Sequence, residues 1–361
     1  MSRVAVVGAG PVGSFAAKLL AARGHDVTVV EEHKKIGIPV QCTGLATPAL
    51  GELTPIKKSF VINRIRHIRL RSPNRELRLK KDEIVIDREL FDQSMSNDSV
   101  DSGARLRTGC RFIGRTANGL TVRNASGERE EVRADYTIGA DGPVSAVAKS
   151  AGMLNGREFL SGIQARVKTE SDPQEYTAWL GRVCPGFFAW AVPESDEVAR
   201  VGLAARSGAK ELFRGFMKRS GYTKVLDMQA GLIPVYSASQ STQRGNVLLV
   251  GDAAGQVKAS TGGGIVPGLA AAQCLAENLG SGYGRAWRQK IGRTLRVHLL
   301  IRKTLDRFTD RDYDRLLELA GQKRIRVALE RGNREFPMGM LARIALKEPR
   351  FLGFIKKGIF I

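Results

Sequence analysis

The chain has 361 residues, with 57 Lys and Arg against 36 Asp and Glu, a net charge of +21, 43% apolar residues, 40 glycines and four cysteines. Such a length and apolar content bury a large core in one or two domains, which excludes a disordered chain and a disulfide-stapled mini-fold. Cys42, Cys110, Cys184 and Cys274 are far apart, with no Cys-x-x-Cys or Cys/His pair at ligand spacing, so neither a metal site nor a redox disulfide is expected.

Residues 4–7 form an apolar run too short for a signal segment, and residues 261–276 open on glycines and contain Pro267, so no membrane span is expected. The reading is a cytoplasmic protein with reduced thiols. The positive excess draws phosphates, acidic proteins or anionic membranes. The basic residues are dispersed, aromatics are only 6% and no RNA or DNA motif is present, so nucleic acid is not expected as a partner.

The opening segment carries the most information. A buried-strand pattern at residues 4–7 runs into Gly8-Ala9-Gly10-Pro11-Val12-Gly13, then into a helix at residues 14–23 with Phe15, Ala16, Leu19 and Leu20 on one side and Gly24 as its stop. A second strand follows at residues 26–30, with Glu31 at its end, where a dinucleotide fold needs an acid for a ribose hydroxyl. Gly8 permits the tight turn, Gly10 lets the backbone approach a pyrophosphate, and Gly13 lets the helix pack on the strand. A glycine-rich structural turn is the plainer alternative. The strand before, the helix after and the acid beyond favour dinucleotide binding.

Further along, Ile38-Pro39-Val40-Gln41-Cys42-Thr43-Gly44 is a loop whose lone cysteine, taken by itself, is a small hydrophobe. Residues 65–79 alternate around Ser72-Pro73-Asn74-Arg75 and read as a hairpin. Asp87 starts a helix with Arg88 on it and Leu90, Phe91 and Met95 facing inward. A strand at residues 136–139 runs into Ala140-Asp141-Gly142, and another at residues 246–250 into Gly251-Asp252; a helix N-cap is the alternative reading of either aspartate. Between them, short strands at residues 162–167, 176–180, 187–192 and 198–204 predict an inserted antiparallel sheet. Period-two alternation puts Phe188, Trp190 and Val192 on one face, either a tunnel wall or core. After Thr261-Gly262-Gly263-Gly264-Ile265 comes a helix, and from Arg285 basic amphipathic helices are expected to cover the cofactor domain. The tail at residues 351–361 either lies on an anionic bilayer or fills a groove of the same protein.

An N-terminal fingerprint followed by two aspartate-glycine turns resembles the FAD-binding pattern of the flavoproteins that include aromatic hydroxylases and geranylgeranyl reductases. Within that group the archaeal geranylgeranyl reductases, of the digeranylgeranylglycerophospholipid reductase type, carry a Pro-x-x-Cys loop and a Pro-x-x-Tyr-x-Trp-x-Phe-Pro strand. This sequence is similar at Pro39 and Cys42 and at Pro185, Trp190 and Pro193, and departs at Phe188 and Val192. A mid-chain second fingerprint for a nicotinamide and a redox-active cysteine pair are both missing, which separates the chain from disulfide oxidoreductases.

The resemblance implies an α/β fold: a Rossmann-like FAD-binding domain (1–60, 80–155, 240–285), an inserted antiparallel sheet for the substrate (61–79, 156–239) and a basic helical region (286–361). It implies FAD held by Gly8, Gly10, Val12, Gly13, Glu31, Cys42, Thr43, Gly44, Arg88, Cys110, Asp141, Gly142, Asp252, Gly263, Gly264 and Ile265. By the same resemblance Phe188, Trp190, Val192 and Pro193 bind substrate, and Cys42 is the catalytic candidate. The implied activity is reduction of C=C bonds in isoprenoid lipids of archaeal-type membranes by hydride from reduced flavin N5. NAD(P)H or a ferredoxin-like protein would donate the electrons, and contact with an anionic membrane at its cytoplasmic face would be peripheral. An FAD monooxygenase on the same scaffold is the alternative.

Overall fold

A computed structural model of the chain describes residues 1–154 and 156–359. Two compact units make it up: Met1–Val40, Arg88–Glu158 and Ile233–Leu295 form the first, and Gln41–Asp87, Phe159–Leu232 and Arg296–Ile361 the second.

From the N-terminus, β1 (Arg3–Val7), α1 (Pro11–Ala21) and β2 (Asp26–Val30) make a strand-helix-strand motif. Next come β3 (Leu45–Ala46), β4 (Val61–Arg71) and β5 (Glu76–Ile86), the last two turned at Ser72, whose amide donates to the Arg75 carbonyl at 2.9 Å. Then follow α2 (Arg88–Asp101), β6 (Arg105–Arg107), β7 (Arg111–Thr116), β8 (Gly119–Arg123), β9 (Arg129–Arg133), β10 (Tyr136–Gly139) and α3 (Ala146–Ser150). The middle of the chain forms β11 (Phe159–Lys168), β12 (Glu175–Trp179), β13 (Ala189–Pro193), β14 (Val198–Ala205), α4 (Ala209–Arg219) and β15 (Val225–Pro234). It continues through β16 (Gln243–Arg244), β17 (Val247–Leu249), α5 (Ile265–Glu277) and α6 (Tyr283–Trp287). Helices α7 (Arg293–Leu305), α8 (Asp310–Gly321), α9 (Lys323–Glu330), α10 (Met338–Lys347) and α11 (Phe351–Ile359) end it.

The first unit holds a six-stranded sheet in the order β16-β17-β10-β1-β2-β6. Its central pairs are parallel, with Val6 opposite both Ile138 and Val29. Parallel strands covered on both faces read as near-continuous apolar runs, which is why residues 4–7, and 27–30 with Thr28 among valines, were recognisable. Beside it a three-stranded sheet, β7-β8-β9, encloses a core of Val7, Val30, Phe112, Leu120, Val122 and Val147 among others. From β1 the chain builds outward through β2 and β6 on one side and later adds β10 and β17 on the other, so the strand order reverses at β1. Ligands bind beyond the carboxyl ends of the strands at such a reversal.

The second unit holds an eight-stranded sheet in the order β15-β11-β14-β13-β12-β4-β5-β3. It departs from the expected antiparallel sheet where β12 pairs with β4 in parallel, Tyr176 opposite Ile68. Strands from distant parts of the chain meet there, so no hairpin dictates their direction. For the same reason the compact units cut the chain differently from the expected boundaries. Residues 41–60 and 80–87 go with the second unit, because β5 pairs with β4 along its whole length and with β3. The helical region is not separate either: residues 286–295 go with the first unit, where α6 packs on α5, while α8 and α9 pack on β5, with Leu317 and Ala320 against Leu77 and Leu79. In α2, Phe91 and Met95 are buried as expected, but Leu90 is exposed. In the tail, whose last two residues lie outside the described ones, Phe354 is buried, its ring 5.1 Å from that of Phe308.

Candidate functional site

Within the first unit, sheet geometry gathers the motifs. Gly8 follows β1, Glu31 follows β2, Asp141 follows β10 and Asp252 follows β17, all at carboxyl ends of parallel neighbours. The loops are laced together: the Gly8 amide donates to the Val30 carbonyl (2.8 Å), Ala140 to Val7 (2.8 Å) and Val250 to Gly139 (3.0 Å). Glu31 Oε2 accepts the Ala9 amide at 2.9 Å and its Oε1 accepts the His33 amide at 2.9 Å, so the acid braces the glycine turn directly.

The three fingerprint glycines have separable reasons. Gly8 has φ +100°, and a Cβ there would lie 2.5 Å from the Ala140 oxygen. A Cβ on Gly13 would lie 2.1 Å from the Gly8 oxygen, while one on Gly10 would meet nothing within 4 Å. Gly8 and Gly13 serve packing; Gly10 keeps a space open. Helix α1 starts at Pro11 behind Gly10 with no side-chain cap, which leaves the amides of its first turn for an anion. Val12 does not face that space alone: it packs where Gly251 and Gly268 leave room, and a Cβ on Gly268 would come within 2.6 Å of Val12 Cγ2.

The second aspartate turn joins the glycine run. A Cβ on Gly264 would be 2.4 Å from Asp252 Oδ1, so the carboxylate lies directly over the start of α5. Burial pushes the Asp252 carboxyl up, with Arg88 and Arg157 pulling the other way. Helix α5 begins at Ile265 behind Gly264, again without a side-chain cap. The Thr261 hydroxyl, at the head of the run, is buried without a partner. Lys258 is buried alongside, its Cε 2.8 Å from where a Cβ of Gly263 would be.

Other expected cofactor residues have protein partners. Asp141 Oδ1 accepts the Ser145 hydroxyl (2.5 Å) and Oδ2 the Val147 amide (3.1 Å), which makes it a brace for the start of α3, while Gly142, at φ +77°, has open space beside it. Arg88 grips Asp92 with two bonds, Nε to Oδ1 at 3.1 Å and Nη2 to Oδ2 at 3.0 Å. The Cys110 side chain is in the core with Val30 and Phe112, and its amide donates to the Glu31 carbonyl at 2.8 Å.

The remaining candidates are in the second unit. Cys42 is half-buried, and its Sγ accepts the Gly44 amide at 3.3 Å. The Thr43 hydroxyl donates to Gln164 Oε1 at 2.7 Å, and the Trp190 indole Nε1 donates to the same oxygen at 2.9 Å. Trp190 lies flat on β14 because its cross-strand neighbour is Gly202, where a Cβ would be 2.6 Å from the indole Cζ2. Phe188 meets Trp190 edge-on at 5.9 Å, and Val192 is buried with Ile65, Val85 and Tyr176, so the three do share a side. Pro193 closes β13 and is buried. Arg200, buried beside them, pairs with Glu194 and donates to the carbonyls of Thr43 (2.6 Å) and Ile86 (3.2 Å).

The sequence reading missed Gln164, Arg200, Lys258 and Arg157. Arg157 is the tie between the two aspartate turns, donating to the carbonyls of Pro143 (3.2 Å), Asp252 (3.2 Å) and Ala253 (2.8 Å), and its Nε is buried without a partner.

Two uncapped helix starts, an open space at Gly10 and an orphaned hydroxyl in the glycine run suit a long ligand with anionic groups at two places. The family model described as FAD binding domain matches residues 1–197. The digeranylgeranylglycerophospholipid reductase of Methanosarcina acetivorans is 30% identical over 355 residues, 87% of each chain. The chain belongs to the digeranylgeranylglycerophospholipid reductase family. Its relative of that name from Methanothrix thermoacetophila is 29% identical over 351 residues, 87% of this chain and 90% of the other. In solved structures, a geranylgeranyl bacteriochlorophyll reductase-like protein from Thermoplasma acidophilum superposes with a TM-score of 0.85 at 24% identity, covering 99% of both chains. A flavin-dependent brominase superposes at 0.74 with 13% identity, covering 98% and 99%, and at that identity shares the fold alone. The family is one of FAD flavoproteins, and the residues above fit that cofactor. Among the described residues, no helix is long and apolar enough to cross a membrane.

Proposed function

We propose that the protein is an FAD-dependent reductase that saturates C=C bonds of geranylgeranyl chains in archaeal-type membrane phospholipid precursors. The observation that carries the reading is the bonding of the Cys42 loop to the Trp190 strand through one buried amide. Those two segments are what separate a geranylgeranyl reductase from a hydroxylase on the same scaffold.

Bound and reduced, FAD supplies a hydride equivalent at N5. The chain's residues do the rest. Gly10 and the start of α1 would hold the diphosphate of that cofactor and Glu31 its ribose, and the uncapped start of α5 with Gly263, Gly264 and Ile265 would offer amide donors to an anionic group. Phe188, Trp190, Val192 and Pro193 orient the isoprenoid chain and exclude water. Cys42 Sγ holds the proton that the second alkene carbon requires. NAD(P)H or an acidic ferredoxin-like protein, drawn by the basic surface, supplies electrons, and the protein meets the lipid at the cytoplasmic face of an anionic membrane.

The test is a single turnover without oxygen. Chemically reduced protein is mixed with a digeranylgeranyl glycerophospholipid, and flavin absorbance and lipid mass are followed together. Reoxidation with a gain of about two mass units per double bond is the expected result. A flavin that stays reduced until air is admitted overturns it.

A further inference from the structure

We propose that Gln164 is a positioning residue that sets the Cys42 loop against the Trp190 indole, and thereby fixes where along an isoprenoid chain a double bond meets the thiol. The inference rests on the reductase reading for its substrate; the positioning itself stands on hydrogen-bond geometry within the second unit.

The side-chain oxygen of an amide has two lone pairs, and both are used: the Thr43 hydroxyl donates at 2.7 Å and the Trp190 indole at 2.9 Å. The orientation of the amide is dictated by its partners. An indole N–H only donates, so the atom facing it is the oxygen, and the nitrogen is left to donate to Gln229 Oε1 at 2.9 Å. Gln164 is 5% exposed and sits in β11, between β15 and β14, so its own place is set by backbone pairing on both sides. Thr43 is held a second time through its carbonyl, by the Arg200 guanidinium at 2.6 Å.

Cys42 therefore precedes a residue clamped at side chain and main chain, and its Sγ is turned back onto the Gly44 amide. Gln41, on its other side, fits where β15 has a glycine: a Cβ on Gly231 would be 3.3 Å from Gln41 Oε1. Thr43, next to Cys42, and the Trp190 indole cannot move apart without breaking a hydrogen bond to Gln164. Removing that acceptor leaves two donors unpaired and frees the loop.

The test reads the thiol itself. Cys110, Cys184 and Cys274 are buried, so N-ethylmaleimide added to the FAD-loaded protein reports on Cys42. Gln164→Met removes the acceptor, and Gln164→Glu restores it with two carboxylate oxygens. The expected result is alkylation of Cys42 about tenfold faster in Gln164→Met, the scale of one lost hydrogen bond, with Gln164→Glu close to wild type. In lipid turnover, Gln164→Met spreads saturation over other double bonds. Equal alkylation rates in all three proteins overturn the proposal. If Gln164→Met does not fold, Thr43→Val, which keeps the amide and Trp190, must show the same acceleration, and its absence overturns the proposal equally. Altered alkylation in a protein whose wild type reduces no lipid keeps the positioning and sinks the reductase reading instead.

Discussion

The Cβ that Gly13 lacks would lie 2.1 Å from the carbonyl oxygen of Gly8, across the turn that joins β1 to α1. Gly13 is thus held to glycine by the fold, whereas Gly10, between them in the same turn, is free of any such contact. The two positions separate what the fingerprint does for folding from what it does for binding.

Gly10→Val is expected to fold with a melting temperature close to wild type and to purify without FAD, because its side chain fills space that the protein does not use. Gly13→Ala is expected to lose about 3 kcal/mol of stability through overpacking against backbone. Absorbance at 450 nm and thermal melting of the two variants check both claims. A yellow Gly10→Val protein would remove the cofactor role assigned to that space.

Trp190→Phe keeps an aromatic ring beside Phe188 but loses the donor that Gln164 Oε1 receives. The expected cost is about 1 kcal/mol in stability, with FAD retention unchanged and poorer use of the geranylgeranyl lipid. The measurements are melting temperature, flavin content and lipid turnover on the same preparation. Parallel losses of flavin and lipid turnover would mean that the strand is only core.

How far the sequence could be read follows from the range of the interactions involved. Strand, glycine turn and helix at residues 4–23 are local, so β1, α1 and the roles of Gly8 and Gly13 were legible, and the period-two face of Phe188, Trp190 and Val192 likewise. Pairing between distant segments was not. Nothing in residues 61–71 announces the parallel contact with β12, and that pairing is what places β4 and β5 in the second unit. The same limit hid Gln164 and Arg157, since each matters through partners far along the chain: Thr43 and Trp190 for one, Pro143 and Asp252 for the other. Leu90 was misread because a helix of low amphipathicity gives no reliable inward face.

Cys42→Ser separates chemistry from geometry. A hydroxyl at that position still accepts the Gly44 amide that Sγ accepts at 3.3 Å, so the loop keeps its turn and Thr43 keeps its clamp. The variant is expected to retain FAD and melt like wild type while saturating the lipid about a hundredfold more slowly, the low end of what loss of a proton-transfer group costs. Pre-steady-state flavin reoxidation by lipid is the readout. An unchanged rate and product distribution would return Cys42 to a structural role.

Asp252 gives a pH dependence with a definite sign. Burial raises its carboxyl above the ordinary value, more than Arg88 and Arg157 lower it, so the folded chain holds its proton to higher pH than the unfolded chain does. In that window the native state binds more protons, and stability falls as pH rises through it. Asp252→Asn cannot ionise and escapes the loss. FAD-stripped wild type and variant are to be melted from pH 4 to 7. Other titrating groups, including Asp141, which burial also raises, are common to both chains and cancel in the difference. The variant is expected to gain on wild type steadily as pH rises through that window. Parallel melting curves across the range would mean that Asp252 ionises in the fold as readily as in water, and that the carboxylate over Gly264 is solvated.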